Sequence, residues 1–103
     1  MKKAPDQFSR SEALKHIREN WVKGSILSSR HFRERLIERN ITMQDVAYAV
    51  KHGRIEDPPD LHPKTNEWCY RVKGRTVDKI PVTVVIELGD PDINRLVTVY
   101  PGE

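Results

Sequence analysis

Asp57-Pro58-Pro59-Asp60-Leu61-His62-Pro63-Lys64-Thr65-Asn66-Glu67-Trp68-Cys69-Tyr70-Arg71-Val72-Lys73 is the stretch on which the fold turns. Its first four residues predict a loop, because paired prolines interrupt both helix and sheet hydrogen bonding. Beyond it the hydrophobic period becomes two. Trp68, Tyr70 and Val72 alternate with Cys69, Arg71 and Lys73, as in a half-buried strand. Val82 to Leu88 is a β-branched run that reads as a central strand, and Leu96 to Tyr100 reads as a third. Asp78-Lys79 suits a tight turn between the first two, and Gly89-Asp90-Pro91-Asp92 opens the turn before the last.

Upstream of the prolines the period is helical. Ser9 and Glu12 have capping-box spacing, Leu14, Ile17 and Trp21 follow on one helical face, and Gly24 closes the segment. Ser25-Ile26-Leu27-Ser28 is a short extended piece. Ser28 or Ser29 caps a second helix running to about Arg39. Thr42 caps a third, with Asp45 at its positive end, Ile41 placed to staple onto Val46, and Gly53 as its stop. The expected fold is α+β, with three N-terminal helices packed on a three- to four-stranded antiparallel sheet.

The chain has 103 residues, so a single domain over 1–103 is expected, with residues 1–8 as a loose tail. A chain this short buries only roughly 60–70% of its unfolded surface, so a homodimer or a protein partner would add stability. Charged residues make up 32%, and no apolar run approaches the roughly 20 residues that span a bilayer. The N-terminal lysines are followed by no apolar stretch, which speaks against a secretory signal. Cys69 stands alone, so no internal disulfide forms and a cytoplasmic location is expected. Residues 1–54 carry twelve Lys or Arg against six Asp or Glu, and residues 55–103 carry six against nine. That asymmetry predicts a basic face able to attract a polyanion.

The second helix concentrates the chemistry. At about 100° per residue, Phe32 and Leu36 define a buried face, with His31, Arg35 and Arg39 as a stripe along its border. Arg30, Glu34 and Glu38 face water. Histidine can both take and give a proton near neutral pH, and arginine donors match phosphate oxygens. The stripe therefore suits phosphodiester cleavage without a metal, although Glu38 could instead simply pair with Arg35. On the strands, Tyr70, Arg71, Lys73, Thr98 and Tyr100 could complete a phosphate site, or could be ordinary sheet residues. His52, His62 and Cys69 lack metal-ligand spacing, Cys69 reads as a small apolar filler, and no cofactor motif is present.

Residues 29–42, followed by Asp45-Val46 and Gly53, resemble the signature of a small bacterial domain family of unknown function, Ser-x-His-x3-Arg-x3-Arg-x-Ile-Ser/Thr. Leu96-Val97-Thr98-Val99-Tyr100 is similar to that family's closing strand, so the resemblance covers about residues 28–100. Asn40, and Lys79 in the hairpin turn, stand where glycine is common. The resemblance implies a grouping with RelE-like and BrnT-like toxin ribonucleases. It thus implies a metal-independent endoribonuclease acting on RNA and paired with a protein antitoxin. By position His31 and Arg35 match the family's motif, Arg39 follows it, and Thr98 and Tyr100 match its closing strand; joined to the strand candidates, this makes His31, Arg35 and Tyr100 the expected catalytic residues and Arg39, Arg71, Lys73 and Thr98 the expected phosphate contacts. The rival readings are a non-catalytic module that binds RNA or protein through helix 30–39, and a toxin-derived scaffold that has lost activity.

Overall fold

The computed structural model describes residues 7–102; most of the expected tail lies outside them. Phe8, at the end of that tail, is half-buried, packs against the core, and donates its backbone N–H to the Tyr70 hydroxyl at 2.7 Å.

Three helices form where capping residues place them: α1 (Arg10–Lys23), α2 (Arg30–Glu38) and α3 (Met43–His52). Ser9 with Glu12, and Thr42 with Asp45, close reciprocal capping boxes, and the Ser29 hydroxyl accepts from Phe32 N–H. Each satisfies helix donors that otherwise lack a partner. Arg18 of α1 reaches the far end of α3, donating to Val50 O and Gly53 O at 3.1 and 2.8 Å.

The sheet departs from expectation. It has five strands in mixed orientation: β1 (Ile26–Ser28), β2 (Asp60–Leu61), β3 (Trp68–Arg75), β4 (Pro81–Glu87) and β5 (Asn94–Pro101), in spatial order β1-β5-β4-β3-β2. The three- to four-stranded antiparallel sheet is thus corrected on two counts. Ile26–Ser28 is a strand between α1 and α2, so the helices do not all precede the sheet, and it pairs parallel to β5. Asp60 leaves the proline loop to pair antiparallel with Cys69. Strands of two and three residues are too short to carry a period.

All three helices bury their apolar faces on one side of the sheet. Ile17, Phe32, Leu36, Val46 and Val50 pack there with Tyr70, Val72, Val82, Val84, Ile86, Leu96 and Val99. Asn20 and Asn94, both buried, bind each other at 3.1 Å, and the Asn94 amide also donates to Ile17 O at 2.8 Å. This pair ties α1 to the start of β5 with most of its polar atoms satisfied. Asn40 and Lys79 adopt left-handed backbone, with φ of 54° and 69°.

The capping boxes have a pH consequence. Hydrogen bonding by Thr42 N–H, chiefly, holds the Asp45 carboxyl below its ordinary value, aided by Val77 N–H and the Thr42 hydroxyl and opposed by partial burial. Glu12 is held down in the same way by Ser9, and Asp57 by Lys73. A carboxylate depressed on folding contributes stability above its unfolded value of roughly 4, and that contribution is lost as pH falls through the folded value. Tm should therefore drop from pH 5 to pH 3, and Asp45→Asn should make the drop smaller. Parallel melting curves at the two pH values for both proteins check this; equal drops would remove Asp45 from the account.

Candidate functional site

Strand register sorts the candidate residues by face. Tyr70, Val72, Val84, Ile86, Leu96 and Val99 point toward the helices. The alternate positions form rows across the opposite face, which no helix covers among the described residues: Arg71–Val85–Thr98 and Lys73–Thr83–Tyr100, with Cys69–Glu87–Arg95 beside them. A β-bulge at Val97 makes the first row possible. The register shifts between Val85 and Ile86, so Leu96 pairs with Ile86 but Thr98 with Val85. Simple alternation would have put Thr98 on the same side as Leu96; the extra residue turns it outward. Arg71, Lys73, Thr98 and Tyr100 therefore share the open face. Tyr70 does not. It is buried among the core side chains, and its hydroxyl is committed to Phe8.

The stripe on α2 separates into three different roles. The imidazole of His31 lies at the edge of the open face, with Nε2 3.3 Å from the Thr98 hydroxyl. The Arg35 guanidinium forms an ion pair with Glu38, one turn along the helix. Arg39 turns toward the sheet edge and donates to Val99 O at 3.0 Å. Ser29 contributes there too, its N–H bonding Leu96 O and its hydroxyl Val97 O at 3.2 and 3.3 Å. Because β1 is only three residues long, α2 takes over beyond it in covering the carbonyls of β5, which would otherwise offer an open edge.

The cations of the open face are held from the side by the proline loop. Lys73 Nζ lies 2.9 Å from Asp57 and Arg71 Nη2 lies 3.3 Å from Asp60. The hydrogen bond to Asp57 raises the Lys73 ammonium above its ordinary value, so it stays charged. Arg71 Nε is buried without a hydrogen-bond acceptor among the described residues. A buried donor left unpaired costs stability.

His31 also lines an open depression of about 970 Å³ with His62, Lys64, Glu87 and Arg95. The Nδ1 of His62 accepts backbone N–H groups of Lys64 and Thr65 at 3.2 and 3.4 Å, which leaves Nε2 as the protonated nitrogen of the neutral ring. These companions were missed in the sequence. His62 follows the proline loop with no motif around it, and Arg95 precedes the bulge that brings its side of β5 into line with Thr98. Cys69 lies on the open face rather than in the main core, yet it is buried. Burial, aided by the charges of Glu87 and Asp60, pushes its thiol up to about 11, which leaves it protonated and a poor nucleophile. Among the described residues no group of three or more His, Cys, Asp or Glu could hold a metal ion.

A family model described as Domain of unknown function (DUF4258) matches residues 28–101. The chain belongs to the DUF4258 family. No curated protein and no solved structure gives a significant match. The DUF4258 segment begins at the last residue of β1 and takes in α2, α3 and every later strand, so His31 and the open face lie within it while α1 lies outside. Among the described residues no helix is long and apolar enough to cross a membrane.

Proposed function

We propose that this domain binds single-stranded RNA across the open face of its sheet and cleaves the phosphodiester backbone with His31 as a proton-transfer group. The observation that carries this reading is the meeting of His31 with Thr98 at the border of a face, covered by no helix among the described residues, whose successive rows carry Arg95, Arg71 and Lys73. In the reaction a base takes the proton of a 2′-hydroxyl and the freed oxygen attacks phosphorus. The bond to the 5′-oxygen breaks, and that oxygen takes a proton from an acid. The products are a 2′,3′-cyclic phosphate and a 5′-hydroxyl end. His31 supplies one of the two proton transfers, and the cations of the face stabilise the charge that builds on the phosphate. Tyr100, in register with Lys73 through Thr83, offers a ring for base stacking. Arg35 must leave Glu38 to reach a phosphate, and Arg39 acts as a strut of the sheet edge.

The same reading makes the domain toxin-like, with an antitoxin as the protein that masks the open face. Growth arrest on expression, relieved by a neighbouring gene product, tests that part. Binding through the basic helix alone would need its arginines, like Arg71 and Lys73, to leave their present partners. Arg30 pairs with Glu34, Arg33 donates to Ser28 O, and Arg35 and Arg39 are engaged as described.

RNA incubated with the protein in EDTA should yield cyclic phosphate ends. Intact RNA under those conditions would sink the nuclease reading. Replacing Arg71 and Lys73 together by Gln should weaken RNA binding about tenfold or more and lower the slope of log affinity against log salt by about two, one for each lost phosphate contact. Fluorescence anisotropy at several salt concentrations reads both quantities, and an unchanged slope would take these two side chains off the phosphate path.

A further inference from the structure

On the opposite edge of the sheet from His31, the last turn of α3 meets the β3–β4 hairpin around a hollow of about 310 Å³. Tyr48, His52, Arg54, Arg75 and Lys79 line it, with Lys73 at its border and Glu56 as its own carboxylate. The Tyr48 ring is the centrepiece. The His52 ring lies against it with centroids 4.5 Å apart, and Lys79 Nζ sits 4.8 Å from its centroid while donating to its hydroxyl. Arg75 Nη1 donates to Lys79 O at 3.1 Å, which fixes one side of the turn against the other. The Arg54 backbone is bonded both ways to Lys73, at 2.9 and 2.8 Å, and its guanidinium has no hydrogen-bond or ion-pair partner among the described residues.

A helix C-terminus ordinarily repels anions through its unpaired carbonyls. Here Gly53 N–H covers Ala49 O at 2.7 Å, and Arg18 covers Val50 O and Gly53 O from behind. What remains around the hollow is an excess of cations over carboxylates.

We propose that this hollow is a phosphate-binding site and that it anchors an RNA strand whose scissile bond lies near His31. It rests on the RNA reading only for the carrier of the phosphate. Two inter-strand spacings from β5 to β3 give roughly 10 Å across the sheet, and the four residues from Arg71 to Arg75 add roughly 13 Å along it, a path that a few nucleotides span. A strand crossing the sheet therefore reaches the hollow after passing the Arg71 and Lys73 rows.

The test uses the full chain and amide NMR shifts with two probes, inorganic phosphate and a short oligoribonucleotide. It is applied to the wild type and to Arg54→Gln/Lys79→Gly, both exposed positions, the second already in a glycine-like conformation. Both probes should shift the amides of His52 to Arg54 and Gly74 to Lys79, and the double variant should bind the oligoribonucleotide about tenfold or more weakly. Shifts at Arg71 and Thr98 without any at the hollow would overturn the anchor while leaving the RNA reading standing. Shifts at the hollow with inorganic phosphate, and no RNA binding anywhere, would keep the phosphate site and remove RNA as its carrier. Silence of the hollow toward both probes would overturn the site itself.

Discussion

His31→Ala should lower RNA cleavage by at least about a hundredfold, the scale of contribution that a positioned acid or base makes. The melting temperature should hardly move. The side chain is exposed and makes one hydrogen bond, to Thr98 Oγ1, so its loss opens no core cavity. RNA affinity should change little as well, since the cations that hold phosphate belong to other residues. The three measurements together are diagnostic. Lost cleavage with retained binding and folding assigns His31 to the chemistry. Cleavage that persists within a few-fold would remove it from the mechanism and direct attention to His62, the other imidazole lining the same depression.

Gly74→Ala should be among the most damaging conservative changes to the fold. In a strand, alanine ordinarily fits better than glycine, so propensity alone predicts a gain. The local geometry predicts the reverse. A Cβ at Gly74 would sit 2.6 Å from Ala49 O and 3.0 Å from Ala49 Cα, and one at Gly53 would sit 2.4 Å from Ala49 O. These are backbone atoms, so no side chain can swing aside. α3 and β3 must separate, and Val46, Ala49 and Val50 lose their contact with Val72 and Val82. Overpacking costs about 1–3 kcal/mol and occasionally more, with an unyielding backbone clash at the upper end, and 1 kcal/mol moves Tm by roughly 4–8 °C in a domain this size. A fall of more than about 10 °C is expected by calorimetry. An unchanged Tm would mean that the helix can lift from the strand without cost.

Much of the local structure can be read directly in the residues. Ser9 with Glu12, Thr42 with Asp45, and Gly53 mark helix ends because caps are local chemistry. Trp68 to Val72 mark a strand because one face is buried. The edges of the sheet are not legible in that way. β1 and β2 are too short to show alternation, and β1 pairs with a strand at the other end of the chain. The candidate site divides along the same line. The His31 stripe follows from helical spacing, but which of its members meets the sheet depends on where β5 ends up. The open face was hidden by the bulge at Val97, which reverses the apparent inside and outside of β5 between Leu96 and Thr98. Glu38 and Val99 O then engage two of the three stripe residues, an outcome of tertiary contact as much as of spacing.

The parallel pairing of β1 with β5 also sets an order of events in time. Ile26 finds its partner in Asn94, and the buried amides of Asn20 and Asn94 meet at the same place. At roughly 5–20 residues per second of synthesis, β1 leaves the ribosome several seconds before β5 exists. During that interval the α3 and β3 region can begin to assemble from nearer contacts and α1 can meet α3 through Arg18, but β1 has no strand to pair with. Closing that long loop comes late and slows folding, as non-local strand pairs generally do. β1 is therefore the last element to be locked, and the nascent chain must carry it as an unpaired strand until β5 is made.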